Sequence, residues 1–443
     1  MMKISKIREK VTRLPIFQKL IISLLLSLAV GLFWELGYEF NVQRKAAKGE
    51  GTPGIEHISN DNLVLEGAKE LNNGKILVES GNTIILRFPE RYINKFSYSY
   101  DSGVTFKTEV TYQGSNNYQR SYSDMTEDYS RPQLHTSVVN ISDCVSEIKL
   151  TYYSMAEEKA SLLFDFVIDN SFSINFYRIF FVSVVLFLIL FFIVCGNIFR
   201  KKLELAFAVI GVSVGILFIS LQPMEPISWD EAVHIHESFT VFESPGTHQW
   251  ENGEYYLYVN QEGLLPKSPF LSKEEKAEQK EYLNSLPEES NETYEKEAPS
   301  ISSVGYIFTG IGLKIADFLG FSFYTKLIFG KCINLLLYIF LVTMAIKILP
   351  TGKQLMAVIA LMPTPMFQAG VYTYDSMVTG FLFLGTAVLV REFYYSEQKL
   401  KWQSVLVFVI AMILGCCPKA IYAPMIFIAA FLPKSKFKSQ KQC

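Results

Sequence analysis

Several familiar chemistries have no foothold in this sequence. It contains no G-x-G-x-x-G, no phosphate-binding loop, no zinc-ligand spacing and no nucleophile elbow. Cysteine is scarce: the six residues are Cys144, Cys195, Cys332, Cys416, Cys417 and Cys443. Adjacent Cys416 and Cys417 read as small membrane-packing residues. Only Cys144 falls in a soluble region, so no disulfide framework is expected. Internal repeats and low-complexity tracts are missing as well. The net charge of -2 says little, because the two signs are segregated along the chain.

Hydrophobic residues, by contrast, make up 50% of the 443-residue chain, with Phe alone at 35. They come in blocks of the length that crosses a bilayer core. Apolar runs at Leu20–Tyr38, Ile179–Ile198, Leu205–Leu221, Leu327–Leu349, Leu355–Val371 and Met377–Val390 read as spans. A final block, Val405–Leu432, is too long for one upright helix and is interrupted by "CCPKA", so it reads as two short helices hinged at Pro418–Lys419. The basic start "MMKISKIREKVTRLPIFQK" followed by "LIISLLLSLAVGLFW" resembles a signal peptide, but no small-x-small cleavage site follows. An uncleaved first helix is expected.

The segment 41–175 is different in kind. Stretches such as "KILVES", "TIILRF" and "TFKTEVTYQG" alternate with period two between "NNG", "SGN" and "DSG" turns, which predicts a β-rich domain, a small sandwich. Ser272–Ser300 is charged and mostly acidic, and reads as a mobile loop. The expected organisation is a cytoplasmic N-terminus with the first helix over 1–40 and the β domain over 41–175. A helix pair follows over 176–221, a loop with interfacial helices over 222–322, and further helices with a basic cytoplasmic tail over 323–443. The fold class is thus a polytopic α-helical membrane protein of about seven or eight spans with an inserted extracytoplasmic β-sandwich-like domain.

Orientation follows from Lys and Arg. The basic N-terminus and "FRKK" (Phe199–Lys202) belong inside, which leaves the β domain and the Gln222–Ser300 loop outside. If Ile301–Ser322 lies in the outer interface rather than crossing, "KILPTGK", "REFYYSEQKLK" and the tail "KSKFKSQKQ" all become cytoplasmic. That arrangement satisfies every short basic connection. It gathers "SWDEAVHIHE" (Ser228–Glu237), Lys331, "YTYDSM" (Tyr372–Met377) and "CCPKAIY" (Cys416–Tyr422) at the outer face. Ionisable groups that close to lipid are expensive, and a working site is the default reading.

Each candidate also has a plainer reading. Ser228 and Glu231, three apart after Pro226, form a capping box. That does not account for Asp230 and His234, four apart and so on one helical face. The pair offers two ligands to a divalent cation, short of a full set, or a carboxylate base with an imidazole beside it. His236 faces away from His234. Asp375 at the start of a span can cap its helix. Lys419 can snorkel, but Lys419 and Lys331 are also what a phosphate ligand needs at a membrane surface.

From about Gln222 to Lys434 the chain resembles the bacterial membrane proteins grouped as "domain of unknown function 2142", which look like C-type glycosyltransferases. The matching elements are "PMEPISWDEAVHIHESF", "FGKCINLLLYIFLVTMAIKILP", "LMPTPMFQAGVYTYDSM" and "PKAIYAPM". The resemblance implies Asp230 as the base for the acceptor hydroxyl, with Glu231 and His234 supporting it or holding a metal. It implies Asp375 in the same cavity and Lys419, Tyr422 and Lys331 on the donor side. Lys331 stands where the family pattern suggests Arg. Relatives continue with more spans after "PKAIYAPM", so a shortened copy is expected.

The expectation is therefore a membrane glycosyltransferase moving sugar from a polyprenyl-phosphate donor to a cell-surface glycan on the extracytoplasmic side. Its partners are the lipid bilayer, the lipid-linked sugar and the glycan acceptor, with no nucleic acid; any cofactor is unknown, a divalent cation being the one the Asp230–His234 pair leaves open. The alternatives are a transporter or flippase of lipid-linked sugars, or a non-catalytic partner in envelope polysaccharide assembly. A flippase predicts ionisable residues deep within spans and inverted repeats.

Overall fold

The computed structural model describes residues 14–437 apart from 49–50, 116–120, 131–133, 156–158, 197–200, 229 and 260–270. The basic run before residue 14, Phe199 and Arg200 of "FRKK", Trp229 and the end of the basic tail lie outside the described residues. Helix α1 spans Ile16–Ala46. Strands β1 (Ile55–His57), β2 (Leu63–Glu66), β3 (Lys69–Glu70), β4 (Ile76–Val78), β5 (Thr83–Asp101), β6 (Phe106–Ser115), β7 (Ser121–Ser130), β8 (Thr136–Ser154) and β9 (Ser161–Asp169) follow. Then come α2 (Phe176–Val194), α3 (Leu203–Leu221), α4 (Glu231–Thr240), β10 (Gly246–Glu251), α5 (Asn252–Val259), α6 (Lys273–Ser285) and β11 (Glu289–Lys296). The remainder is a 3₁₀ turn at Ile301–Tyr306, α7 (Ile307–Phe318), α8 (Phe323–Ile348), α9 (Lys353–Ala360), α10 (Pro363–Ala369), α11 (Asp375–Tyr394), α12 (Trp402–Cys416) and 3₁₀ segments at Ala420–Phe431 and Lys434–Lys436.

The chain divides into two compact units. The first holds an antiparallel sheet in the order β3-β4-β9-β5-β8-β6-β7, with β1 on β9 and β2 on β5. The expected sandwich-like domain is present. Two 19-residue strands, β5 and β8, pair from Thr83↔Thr151 to Ser99↔Thr136 with two register shifts that bend them. Alternate residues of β5 turn inward, so Phe96, Tyr98 and Tyr100 meet Phe106, Tyr152 and Phe166 in one aromatic core. Phe106 packs edge-on to Tyr100 with ring centroids 5.0 Å apart. The "NNG" and "SGN" turns carry Gly74 and Gly81 at φ of 76° and 88°, which other residues adopt at a cost.

One expectation is corrected, by α6 in this unit and β11 in the other. Ser272–Ser300 is not a mobile loop: it forms α6 and then β11. Ser272 and Glu275 make a reciprocal capping box, the Glu275 amide donating to Ser272 Oγ at 3.1 Å and the Ser272 amide to Glu275 Oε2 at 2.7 Å. Lys95 of β5 fixes the helix through Glu274 at 2.8 Å. Acidic composition therefore marks a helix start here. Within this unit the second half of α1 is tied to the start of α2: Arg178 reaches Glu35 Oε1 at 2.8 Å and Glu39 Oε1 at 2.7 Å, with its guanidinium 3.6 Å from the Tyr38 ring centre.

In the second unit, α8 is the central helix and packs against α3, α7 and α11, with α12 on the far side of α11. Among the described residues five helices are long and apolar enough to cross a membrane: α1, α2, α3, α8 and α11. The other expected crossings fall on shorter pieces. Leu355–Val371, read as one span, is broken into α9 and α10. Pro363 lacks the amide a continuing helix needs and drives Met362 to extended backbone, φ -61° and ψ 153°. The final block divides as expected, α12 ending at Cys416 and the 3₁₀ segment starting at Ala420. Helix α7, at 12 residues, is about 18 Å long, short of the ~30 Å hydrocarbon core.

The loop between α10 and α11 is fastened to α8. Asn334 Nδ2 donates to the Val371 carbonyl at 2.8 Å, and Ser376 Oγ donates to Asn334 Oδ1 at 2.6 Å. Tyr372 is fully buried and donates to the Leu327 carbonyl at 3.1 Å. Its hydroxyl lies only 2.0 Å from where a Cβ on Gly330 would stand. Gly330→Ala should therefore displace Tyr372 at a cost of about 1–3 kcal/mol. The check is the thermal unfolding midpoint in detergent, which falls for Gly330→Ala and stays put for the exposed control Leu336→Ala.

Candidate functional site

Helix α4 organises the site. Its first residues, Asp230 and Glu231, go to opposite fates although they are neighbours. Asp230 takes a left-handed backbone, φ 57°, and stays exposed; its side chain makes no cap and carries no hydrogen bond or ion pair among the described residues. The His234 amide bonds the Asp230 carbonyl at 2.9 Å, one helical turn on. Glu231 is buried to 1% exposure. Its Oε2 accepts the amides of Ile227 at 2.8 Å and Ser228 at 3.2 Å, the back-reaching half of a capping box. Its Oε1 accepts the Tyr372 amide at 3.1 Å and lies 3.2 Å from Lys331 Nζ. Lys331, 2% exposed, also donates to Gln222 Oε1 at 3.2 Å. Glu231 and Lys331 thus form a buried ion pair joining α4, α8 and the Tyr372 loop.

On the accessible side of this pair, polar groups from four chain segments meet. His234 Nδ1 lies 2.8 Å from the Tyr306 hydroxyl, and its ring stands edge-on to Tyr374 with centroids 5.0 Å apart. Asp375, the first residue of α11, pairs with Lys419 Nζ at 2.6 Å and accepts Gln368 Nε2 at 3.2 Å. Lys419 also lies 5.4 Å from the centre of the Tyr374 ring. Burial lowers the His234 pKa, opposed by the nearby carboxylates of Asp375 and Asp230. Burial likewise pushes the Tyr306 hydroxyl well up, with Tyr374 adding to it. At neutral pH this is a neutral imidazole and a neutral phenol beside an exposed carboxylate and a Lys–Asp pair.

An apolar groove of about 560 Å³ begins one turn beyond these residues, lined by Thr379, Leu382 and Phe383 of α11, Ile359 of α9, and Tyr422 and Met425. Thr379 follows Asp375 by one α-helical turn, and the Tyr422 amide bonds the Lys419 carbonyl at 3.1 Å. The ion pair therefore stands at one end of the groove.

His234, Asp375 and Lys419 meet around Tyr374, with Asp230 bearing on His234 and Tyr422 on Lys419, while Glu231 and Lys331 are buried. No group of three or more His, Cys, Asp or Glu suited to a metal ion occurs among the described residues. Tyr306, Tyr374 and Gln368 join the expected residues here. Tyr374 stands in the quoted "YTYDSM" motif, whereas nothing in "ISSVGYIF" marks Tyr306 as the partner of His234.

His236 turns the other way, as its position on α4 requires. It packs 4.4 Å from Trp250 and 4.7 Å from Tyr294 by ring centroids, and its Nδ1 lies 2.6 Å from Glu254 Oε1. Burial pushes the Glu254 carboxyl up to about 7, against the opposing pull of His236. This aromatic cluster seats the two-stranded β10–β11 sheet on the back of α4.

The architecture defines a multi-helix membrane protein carrying a separate antiparallel β domain. The chain belongs to the family described as "Predicted membrane protein (DUF2142)", whose model matches residues 213–443. No curated protein matches the sequence. Among solved structures it is similar to the CBM32 of AlyQ in complex with 4,5-unsaturated mannuronic acid, at 11% identity and a TM-score of 0.20, covering 26% of this chain and 97% of that one. It is also similar to the CBM22-1 xylan-binding domain from Paenibacillus barcinonensis Xyn10C, at 10% identity and a TM-score of 0.18, covering 29% of this chain and 94% of that one. A family 11 carbohydrate-binding module from Clostridium thermocellum, in complex with a mixed-linked tetrasaccharide, shares 9% identity at a TM-score of 0.17, covering 28% of this chain and 93% of that one.

Two outcomes test the geometry. Glu231→Gln leaves Lys331 buried without its counter-charge and should cost about 3–5 kcal/mol, whereas Asp230→Asn should leave stability within about 0.5 kcal/mol; unfolding midpoints of the two purified variants separate them. Glu254 binds a proton in the folded state that the unfolded chain has already released above the ordinary carboxylate range. Its contribution to stability therefore falls between about pH 4.5 and 7 and is level above that, by a total on the order of 3 kcal/mol. Glu254→Gln should match wild type at pH 4.5 and exceed it at pH 8 in thermal midpoint.

Proposed function

We propose that this protein is a membrane glycosyltransferase that moves a sugar from a lipid-phosphate donor to a cell-surface glycan, with its site and β domain on the extracytoplasmic side. The observation that carries the reading is that an uncommitted carboxylate, Asp230, and a Lys419–Asp375 pair both bear on His234, the pair standing at the end of an apolar groove. Transfer from such a donor needs a base for the acceptor hydroxyl, a cation for the leaving phosphate and an apolar surface for the lipid. The basic connections on the opposite helix ends support the orientation.

In this reading Asp230 takes the proton from the acceptor hydroxyl as the hydroxyl oxygen attacks the sugar's anomeric carbon. Lys419 and Tyr422 contact the donor phosphate, which leaves with the electrons of the broken sugar–oxygen bond. Asp375 holds Lys419 until the phosphate arrives and then lines the cavity. His234, kept neutral by burial and oriented by Tyr306, supports Asp230 from one turn further on, its amide bonding the Asp230 carbonyl. Glu231 and Lys331 act from below by fixing where α4 and the Tyr372 loop stand.

The test is the sugar composition of surface polysaccharide in a deletion strain complemented with wild type, Asp230→Asn or Lys419→Met. Loss of a general base costs on the order of 10²–10⁴ in rate. Wild type should restore a missing sugar, and each variant should fail to do so at equal membrane levels. Restoration by Asp230→Asn would reduce "SWDEAVHIHE" to a helix start and end the enzyme reading.

A further inference from the structure

A second cleft, part polar and part apolar, lies far along α11 from Asp375, and the proposed reaction makes no use of it. Its volume is about 920 Å³, and it is lined by Gln398, Lys399, Lys401, Trp402, Val405 and Phe437 among others. Its floor is built by the chain's last described segment. Lys436, only 1% exposed, pairs with Glu392 at 2.7 Å and donates to the Tyr395 carbonyl at 3.0 Å. The Leu400 amide bonds the Lys436 carbonyl at 2.9 Å, and Lys399 Nζ donates to the carbonyls of Ser435 at 2.9 Å and Phe437 at 3.0 Å. These bonds hold residues 434–437 against the connection from α11 to α12.

The charges in this floor are already matched, which isolates those that are not. Glu392 is met by Lys436 and by Arg391, whose Nη2 lies 2.9 Å from Glu392 Oε1. Lys401 is exposed and has no side-chain partner among the described residues. Lys399 meets only neutral carbonyls, so its charge is not cancelled. The remaining carboxylate of this connection is the exposed Glu397. Glu397 does not line the cleft, which therefore presents two ammonium groups and no unpaired carboxylate among its described lining residues.

Its other wall is apolar and continues along α12. Trp402, 68% exposed, is the first residue of α12, with Tyr394 and Tyr395 exposed by 59% and 42% at the end of α11. Aromatic residues at helix ends mark the level of the lipid headgroups. Val405 and Val409, three and seven residues beyond Trp402, continue one exposed apolar face down α12. A ligand filling this cleft has an anionic head at Lys399 and Lys401 and a tail along Trp402, Val405 and Val409.

We propose that this cleft is a binding site for the headgroup of an anionic phospholipid, with Lys401 and Lys399 holding the phosphate and Trp402 the glycerol and upper acyl chain. A soluble phosphate would leave the aromatic and valine wall unused, and a zwitterionic lipid would bring its own cation against both lysines. Each Lys near an anionic headgroup adds about fivefold to the partition of that lipid. The site stands apart from the glycosyltransferase reading and survives its failure.

Trp402 makes the test direct. The full chain is placed in phosphatidylcholine nanodiscs holding a minor fraction of either phosphatidylglycerol or phosphatidylcholine with brominated acyl chains, and the quenching that disappears in Trp402→Phe is measured. Brominated phosphatidylglycerol should quench Trp402 more strongly than brominated phosphatidylcholine at equal fraction. Lys401→Gln should weaken that preference about fivefold, Lys401→Arg should keep it, and added salt should reduce it. Equal quenching by the two lipids, or an unchanged preference in Lys401→Gln of wild-type elution profile, would overturn the proposal.

Discussion

The carboxylate of Glu231 is the constraint on which the site rests. An ionised carboxylate out of water is tolerated only when its lone pairs are filled, and here three backbone amides and one ammonium fill them. Those four donors come from the lead into α4, from the Tyr372 loop and from the middle of α8. One side chain thereby sets the register of three segments that are far apart in sequence. Lys331 is equally committed, because the ammonium that neutralises Glu231 has little else to meet except Gln222. A buried pair of this kind fixes geometry more than it adds stability.

From that anchor the roles within "DEAVH" follow by rotation. Successive helical residues turn by about 100°, so with Glu231 driven inward, Asp230 stays at the rim and His234 returns above it one turn later. His236 must then face the other side, where Trp250, Tyr294 and Glu254 receive it. A ten-residue helix thus separates an open polar face from a closed aromatic one. Its left-handed start at Asp230 is part of the same arrangement: a conventional cap would commit that carboxylate to the helix amides, and the observed backbone leaves it uncommitted.

The parts of this molecule legible in the sequence are those with a local signal. Period-two stretches and glycine turns marked the sheet, and long apolar runs marked α1, α2, α3, α8 and α11. The i, i+4 spacing marked Asp230 with His234. The capping box at Ser272–Glu275 was equally local, but its acidic surroundings pointed to a loop. What lay beyond reading was pairing at a distance. Nothing in "FGKCIN" says that its lysine meets Glu231 a hundred residues earlier instead of a ligand, and nothing near Tyr306 says that it meets His234. Burial decides both, and burial belongs to the packed helices and not to the segment.

Pro363 shows how one such local feature reaches the site. Had Leu355–Val371 crossed as one helix, Gln368 would sit near the end of a rigid rod with its neighbours' carbonyls bonded within it. The break before Pro363 lets α10 start afresh and end at Gly370, so the carbonyls of Gln368 and Val371 are free to accept from Asn334. The chain then leaves α10 in the extended loop whose Tyr372 amide reaches Glu231, and Gln368 turns its amide to Asp375. The same break leaves α9 as a short helix whose Leu355, Met356 and Ile359 form a wall of the apolar groove. A proline that breaks an apolar run into two short helices therefore builds both the polar rim and the apolar cleft beside it, and a site for an amphiphile needs the two together.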